Sequence, residues 1–179
     1  VEGGGNIILR INKTGGAVDE TIDMNGRSIV IRFSETEGDL FAFSVSDLTI
    51  TIANFVTIEG NVSFVDSGNR SVFAGDGLQI FMGQGPAMLE NGQINPLATG
   101  VLLSDARIGV IRMSGDTGDT WAMVAQGTVA LIGVDDVTIM GTASVRINTT
   151  GQAINETLTI PNSSDDGVAM QFDTGAEIL

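Results

Sequence analysis

Apolar residues recur at every second position along most of this chain, and that period constrains the fold more than any other feature. In "SIVIRF", Ile29, Ile31 and Phe33 alternate with Val30 and Arg32, and in "DLTITIANF", Leu48, Ile50 and Ile52 alternate with Thr49 and Thr51. A period of two sorts side chains to opposite faces of a pleated strand and cannot line one face of a helix. The pattern continues through "VTIEGNVSF", "RIGVIRM", "GTVALIGV", "VTIMGTASVRI" and "ETLTI", all rich in β-branched residues. Between these runs lie polar, glycine-bearing breaks such as "KTGG", "SGDTGD", "TTGQ" and "NSSDDG". Breaks this short join antiparallel neighbours. The expected fold class is all-β, antiparallel and hairpin-built.

The chain also repeats itself. "LRINKTGGAVDETI", Leu9 to Ile22, returns as "VRINTTGQAINETL", Val145 to Leu158, 136 residues later with eight of fourteen positions identical. After each copy comes a hairpin continuation, "MNGRSIVIRF" and then "IPNSSDDGVAMQF", the second with three residues added in its turn. Residues 9–33 are therefore equivalent to 145–172. Weaker echoes pair "VTIEGNVSF" with "VTIMGTASV", and "VSDLTITI" with "LSDARIGV". The expected organisation is one continuous β-rich unit over residues 1–179, holding about one and a third copies of a repeat of roughly 136 residues. Neighbouring repeats would cover each other's open edges, giving an elongated array that is solenoid-like or a stacked β-sandwich. The equivalence predicts that Arg10–Asn12 and Arg146–Asn148 occupy matching strands, with Ile11 and Ile147 buried and the arginines outward. The N-terminus "VEGGGN" reads as the start of an excerpt from a longer protein.

The run "DLTITIANFVTIEGNVSF", followed by "GPAMLENGQINPLATGVLLSDARIGVI" and "DTWAMVAQGTVALIGVDDVTIMGTASVRINTTGQAINETLTIP", resembles the tandem β-repeats of very large secreted or surface-attached proteins of marine and environmental bacteria. The resemblance implies an adhesive, matrix or filament-like role at the cell surface or outside the cell. Charge is compatible with that role. Eight basic residues against 22 acidic ones leave a net charge of −14, which repels nucleic acid and anionic membranes and attracts cations or basic partners. No apolar run is long enough for a spanning helix, so neither nucleic acid nor membrane insertion is expected.

Chemistry is hard to assemble from what remains. With no His, Cys or Tyr, neither a Ser-His-acid nor a Cys-His arrangement can form. The only lysine, Lys13, lacks the glycine of a phosphate loop and becomes Thr149 in the second copy. Carboxylates such as Glu20, Asp39, Glu59 and Glu90 are scattered rather than paired as glycoside hydrolysis requires. The expectation is no enzyme and no cofactor. Calcium remains possible at acidic turns, where Asp116, Asp119, Asp165 and Asp166 offer oxygen donors, although Asp, Asn and Gly are also simply good turn formers. Six asparagines head the N-x-S/T tripeptide and are candidates for glycosylation: Asn12, Asn61, Asn69, Asn148, Asn155 and Asn162. Trp121 reads as a core or edge filler beside Met123, with a ligand platform as its alternative.

The functional expectation is a structural or adhesive extracellular repeat, a segment of a filament, matrix protein or giant adhesin that associates head to tail with other copies. The alternative is a carbohydrate- or calcium-binding β-sandwich module.

Overall fold

The computed structural model describes residues 2–53, 55–134, 137, 139–163 and 167–179. Twelve strands follow in chain order: β1 (Glu2–Asn12), β2 (Val18–Met24), β3 (Arg27–Phe33), β4 (Leu40–Ile52), β5 (Val56–Asp66), β6 (Arg70–Gln84), β7 (Thr99–Gly115), β8 (Gly118–Ile132), β9 (Ile139–Asn148), β10 (Ile154–Leu158), β11 (Val168–Phe172) and β12 (Glu177–Ile178). Eight form one antiparallel sheet in the order β1-β4-β5-β6-β7-β8-β9-β12, while β2-β3 and β10-β11 are separate hairpins. The all-β, antiparallel, hairpin-built class is thus observed. Among the described residues the main sheet is an open meander, neither a solenoid coil nor a closed barrel.

A row of β-bulges crosses the sheet. The register shifts between Gly4 and Asn6, Val45 and Leu48, Glu59 and Asn61, Gly75 and Leu78, and Ser104 and Arg107. Asp47, Gly77 and Asp105 sit there with φ of 54°, 58° and 50°. Asp tolerates this left-handed conformation better than most residues, and a bulge twists the strand locally. The echo between "VSDLTITI" and "LSDARIGV" therefore marks two bulges rather than a copied domain.

Only one face of the sheet is well covered. At one end the β10-β11 hairpin lies over it, and Ile154, Leu158, Ile160, Val168, Met170 and Phe172 pack on Ala74, Ile111 and Ala122 of β6, β7 and β8. At the other end the loop of residues 85–98 folds back, enclosing Phe81, Leu102, Ala130 and Ile132 with Ala87 and Ala98. The opposite face carries an apolar ladder in register across seven strands: Leu9, Phe43, Phe64, Phe73, Val110, Met123 and Ile147. Apart from Leu9, which is exposed, these side chains are half-buried.

This division of faces corrects one expectation. Ile11 is 49% exposed on the uncovered face, and Ile147 there is only half-buried. The arginines turn to the hairpin side, with the Arg10 guanidinium 5.0 Å from the Phe33 ring centre and Arg146 4.7 Å from that of Phe172. Alternation assigns the two residues to opposite faces. Which face is covered is decided by where the hairpin folds back.

Candidate assembly surfaces

The two copies build the same corner from the same atoms. Asn12 and Asn148 are both buried, where their strands leave the sheet. In each, Oδ1 accepts from a threonine two residues on, at 3.0 Å from the backbone N–H and 2.8 Å from the hydroxyl of Thr14 or Thr150. Each Nδ2 donates to a backbone carbonyl four residues ahead, Gly16 or Gln152, at 2.9 Å. Asn148 makes one further bond, to the Thr174 carbonyl at 2.7 Å. The next residues, Gly15 and Gly151, take φ of 82° and 76° and donate at 2.9 Å to Gly38 and Gly175. A Cβ on Gly38 would lie 2.6 Å from the Gly15 carbonyl carbon, and Gly175 meets Gly151 still more closely, so neither position has room for a side chain. Two of the asparagines marked as glycosylation candidates are therefore the pins of this corner.

From the corner each copy projects a hairpin of the same register. Val18 faces Phe33, Glu20 faces Ile31 and Ile22 faces Ile29. Likewise Ile154 faces Phe172, Glu156 faces Met170 and Leu158 faces Val168. The burial is opposite. Leu158, Val168, Met170 and Phe172 are at most 5% exposed, whereas Ile22 and Ile29 are 46% and 47% exposed. The second hairpin lies on β6, β7 and β8, and an ion pair from Glu156 to Arg70 ties down its margin. No ion pair is found for Glu20, the equivalent of Glu156, among the described residues.

The sheet edges show the same asymmetry. β9 is paired along β8 from Ala122–Asn148 to Leu131–Ile139, whereas β1, its counterpart, is the edge strand, with Ile7 73% and Leu9 59% exposed. At the other edge β12 pairs with β9 at Asn148 and Ile147, and Leu179 just beyond it exchanges both backbone hydrogen bonds with Arg146 at 2.9 Å. Beyond that pairing Ile139 and Met140 are exposed, as are the terminal Ile178 and Leu179. In the first copy β4 covers the corresponding stretch, from Asn12–Leu40 to Glu2–Thr51.

The remaining candidate residues do not converge. Asp116 lies in the β7-β8 turn, and Asp119 beside it accepts from Arg112 Nη1 at 3.3 Å. Asp165 and Asp166 lie outside the described residues. Among those described, no cluster of three or more acidic, His or Cys side chains could hold a metal. Asn61 Oδ1 accepts from the Asp47 N–H at the bulge, at 3.0 Å. Asn69, Asn155 and Asn162 are exposed.

Two features escape sequence reasoning. Asp76 is fully buried in the bulge row, where Oδ1 meets Arg107 Nε at 2.8 Å and the Gly77 N–H at 2.9 Å, while Oδ2 has no protein partner. Only the preference of bulges for Asp and Gly hinted at the position. Trp121 is 44% exposed rather than a core filler. It lines a groove of about 340 Å³ with Phe64, Asp66, Ser71, Phe73 and Arg112 on the less covered face. The Arg112 guanidinium also donates to Ser71 Oγ at 2.9 Å, so charge and hydroxyl are held beside the indole.

No family model matches this chain, and no curated protein or solved structure is significantly similar to it.

Proposed function

We propose that this chain is a structural or adhesive repeat, a segment of an extracellular filament, matrix protein or giant adhesin that associates head to tail. One observation carries the reading: apolar positions left open at the N-terminal edge and hairpin are the ones that the second copy fills at β9, β10 and β11. Exposed apolar patches of this kind mark interaction surfaces. In an array each repeat would supply what its neighbour lacks, and the unit that recurs would be β1, the hairpin and β4 to β8. The array grows sideways in this reading. Six strands at a spacing of about 4.8 Å would advance the sheet by about 29 Å per repeat, before twist. Such an architecture spreads load over many backbone hydrogen bonds and needs no reactive group.

Light scattering of the purified chain over a concentration and salt series tests the association. Growth of oligomers, stronger with salt because the net charge of −14 is screened, is the expected result. A monodisperse monomer under every condition would remove association of separate chains and leave only covalent tandem copies.

A second reading rests on the Trp121 groove, since an exposed indole beside Arg112, Ser71 and Asp66 suits the face and hydroxyls of a sugar. Trp121 is the only tryptophan, so its fluorescence reports directly on that groove. Saturable quenching by soluble oligosaccharides, lost in Asp66→Ala, would favour a glycan-binding module. Calcium at the acidic turns would instead show as a melting temperature lowered by chelator and restored by the ion.

A further inference from the structure

We infer that the exposed face of the β2-β3 hairpin, together with the free edge of β1, is a docking surface for strands β6, β7 and β8 of a second copy of this repeat. The inference rests on the array reading above and names its contact.

The occupied version of the contact is present in the molecule itself. The five pairs of β10-β11 repeat the first five of β2-β3 in the same register, and the apolar side chains of β10-β11 are buried against Ala74, Ile111 and Ala122. The face of the first hairpin keeps the same character at every equivalent place: Val18 for Ile154, Ile22 for Leu158, Ile29 for Val168, Ile31 for Met170 and Phe33 for Phe172. The receiving surface is shaped for such a face. Gly109 lies beneath Met170, Val168 and Leu158, and a Cβ there would stand 2.6 Å from the methionine sulfur.

Charge and backbone agree. Arg70 holds Glu156 in the occupied contact, and Glu20 stands at the same place on the open hairpin. β9 takes its hydrogen bonds from β8, and the equivalent edge of β1 is unpaired, so β8 of the second copy would continue the ladder with Asn12 opposite Ala122 and Gly3 opposite Leu131. Beyond this strand the Thr149 N–H donates to the Trp121 carbonyl, a place that falls to Lys13 in the first copy. Shape, charge and strand register therefore choose one occupant. In the single chain that acceptor is already filled by its own β9 to β11, so docking needs either a covalently preceding copy or exchange of one terminal segment for another.

The test joins two copies, residues 1–144 followed directly by 9–179, which replaces Val145 by its counterpart Leu9 inside one continuous strand. The chain has no cysteine, so Ile22→Cys placed in the outer or in the inner hairpin gives a single thiol whose labelling rate reports exposure. The inner hairpin should label about tenfold or more slowly than the outer one, as expected of groups reached only by local opening. Gly109→Val in the first copy should bring the inner rate up to the outer rate. Equal rates in the unaltered fusion would overturn the inference. A second fusion, residues 1–141 followed by 6–179, moves the junction within the strand, so a folding failure of the first does not decide the matter.

The outcomes separate the docking from the array. Self-association of the single chain with an unprotected inner hairpin would overturn this contact and leave the array standing on some other surface. A protected inner hairpin in a chain that stays monomeric would support the contact and make the array a covalent one.

Discussion

Asn148 carries more of the fold than its place in an N-x-T tripeptide suggests, because its amide closes a turn on one side and reaches the returning chain at Thr174 on the other. Asn148→Ala removes the buried amide that bonds the Gln152 and Thr174 carbonyls and the Thr150 N–H, and should cost about 2–3 kcal/mol in urea unfolding. Asn12→Ala, which lacks the Thr174-type bond, should cost less. Removing the cation from the buried Asp76 is expected to be as severe: Arg107→Ala leaves a carboxylate with one backbone partner and should cost about 3 kcal/mol by the same measurement. At the surface, the Ser34 N–H at 2.8 Å and then the Arg10 guanidinium at 2.7 Å hold the Glu37 carboxyl below its usual range. A depressed carboxyl stabilises the folded state fully above its unfolded value, about 4.3, and loses that contribution as pH falls through the folded value. Titration followed by NMR should place Glu37 below an ordinary glutamate, and Arg10→Ala should move it upward.

At the level of elements, the two hairpins show how far sequence reading reaches. Period two and the glycine-bearing breaks identify the strands, and the match of residues 9–33 to 145–172 anticipates that both hairpins share a register. What a single strand pattern does not contain is which of its faces will be covered. Arg10 and Ile11 alternate as expected, yet the hairpin folds back on the Arg10 side because its attachment at Asn12 and Gly15 directs it there. The bulges leave no mark in the period-two pattern that identifies the strands, since one extra residue in a strand resembles ordinary variation until its partner strand is known. The same limit hid Asp76 and the Trp121 groove, which depend on neighbours distant in sequence. Substitution separates the two hairpins cleanly. In the single chain Leu158→Ala should cost about 2–4 kcal/mol, whereas Ile22→Ser at the equivalent exposed position should stay within about 0.5 kcal/mol of the parent, both read by denaturant unfolding.

The whole molecule carries one surface twice, once with a neighbour and once without. Its sheet is long, open and covered mainly on one face, and exposed apolar residues stand at both edges and on the first hairpin as well as in the 85–98 loop and the turns at that end of the sheet. Such edges invite strand addition, and the net charge of −14 is a brake on it that salt releases. Amide hydrogen exchange of the dilute single chain compares the two states of that surface within one sample. Residues 154–158 and 168–172 should exchange only through the larger openings that lift the hairpin from β6, β7 and β8, while residues 18–24 and 27–33, equal in register but with no strands of the sheet packed under Ile22 and Ile29, should exchange faster by orders of magnitude. Equal protection of the two hairpins in a dilute monomer would contradict the reading, since it would mean that the first hairpin does not lack a neighbour.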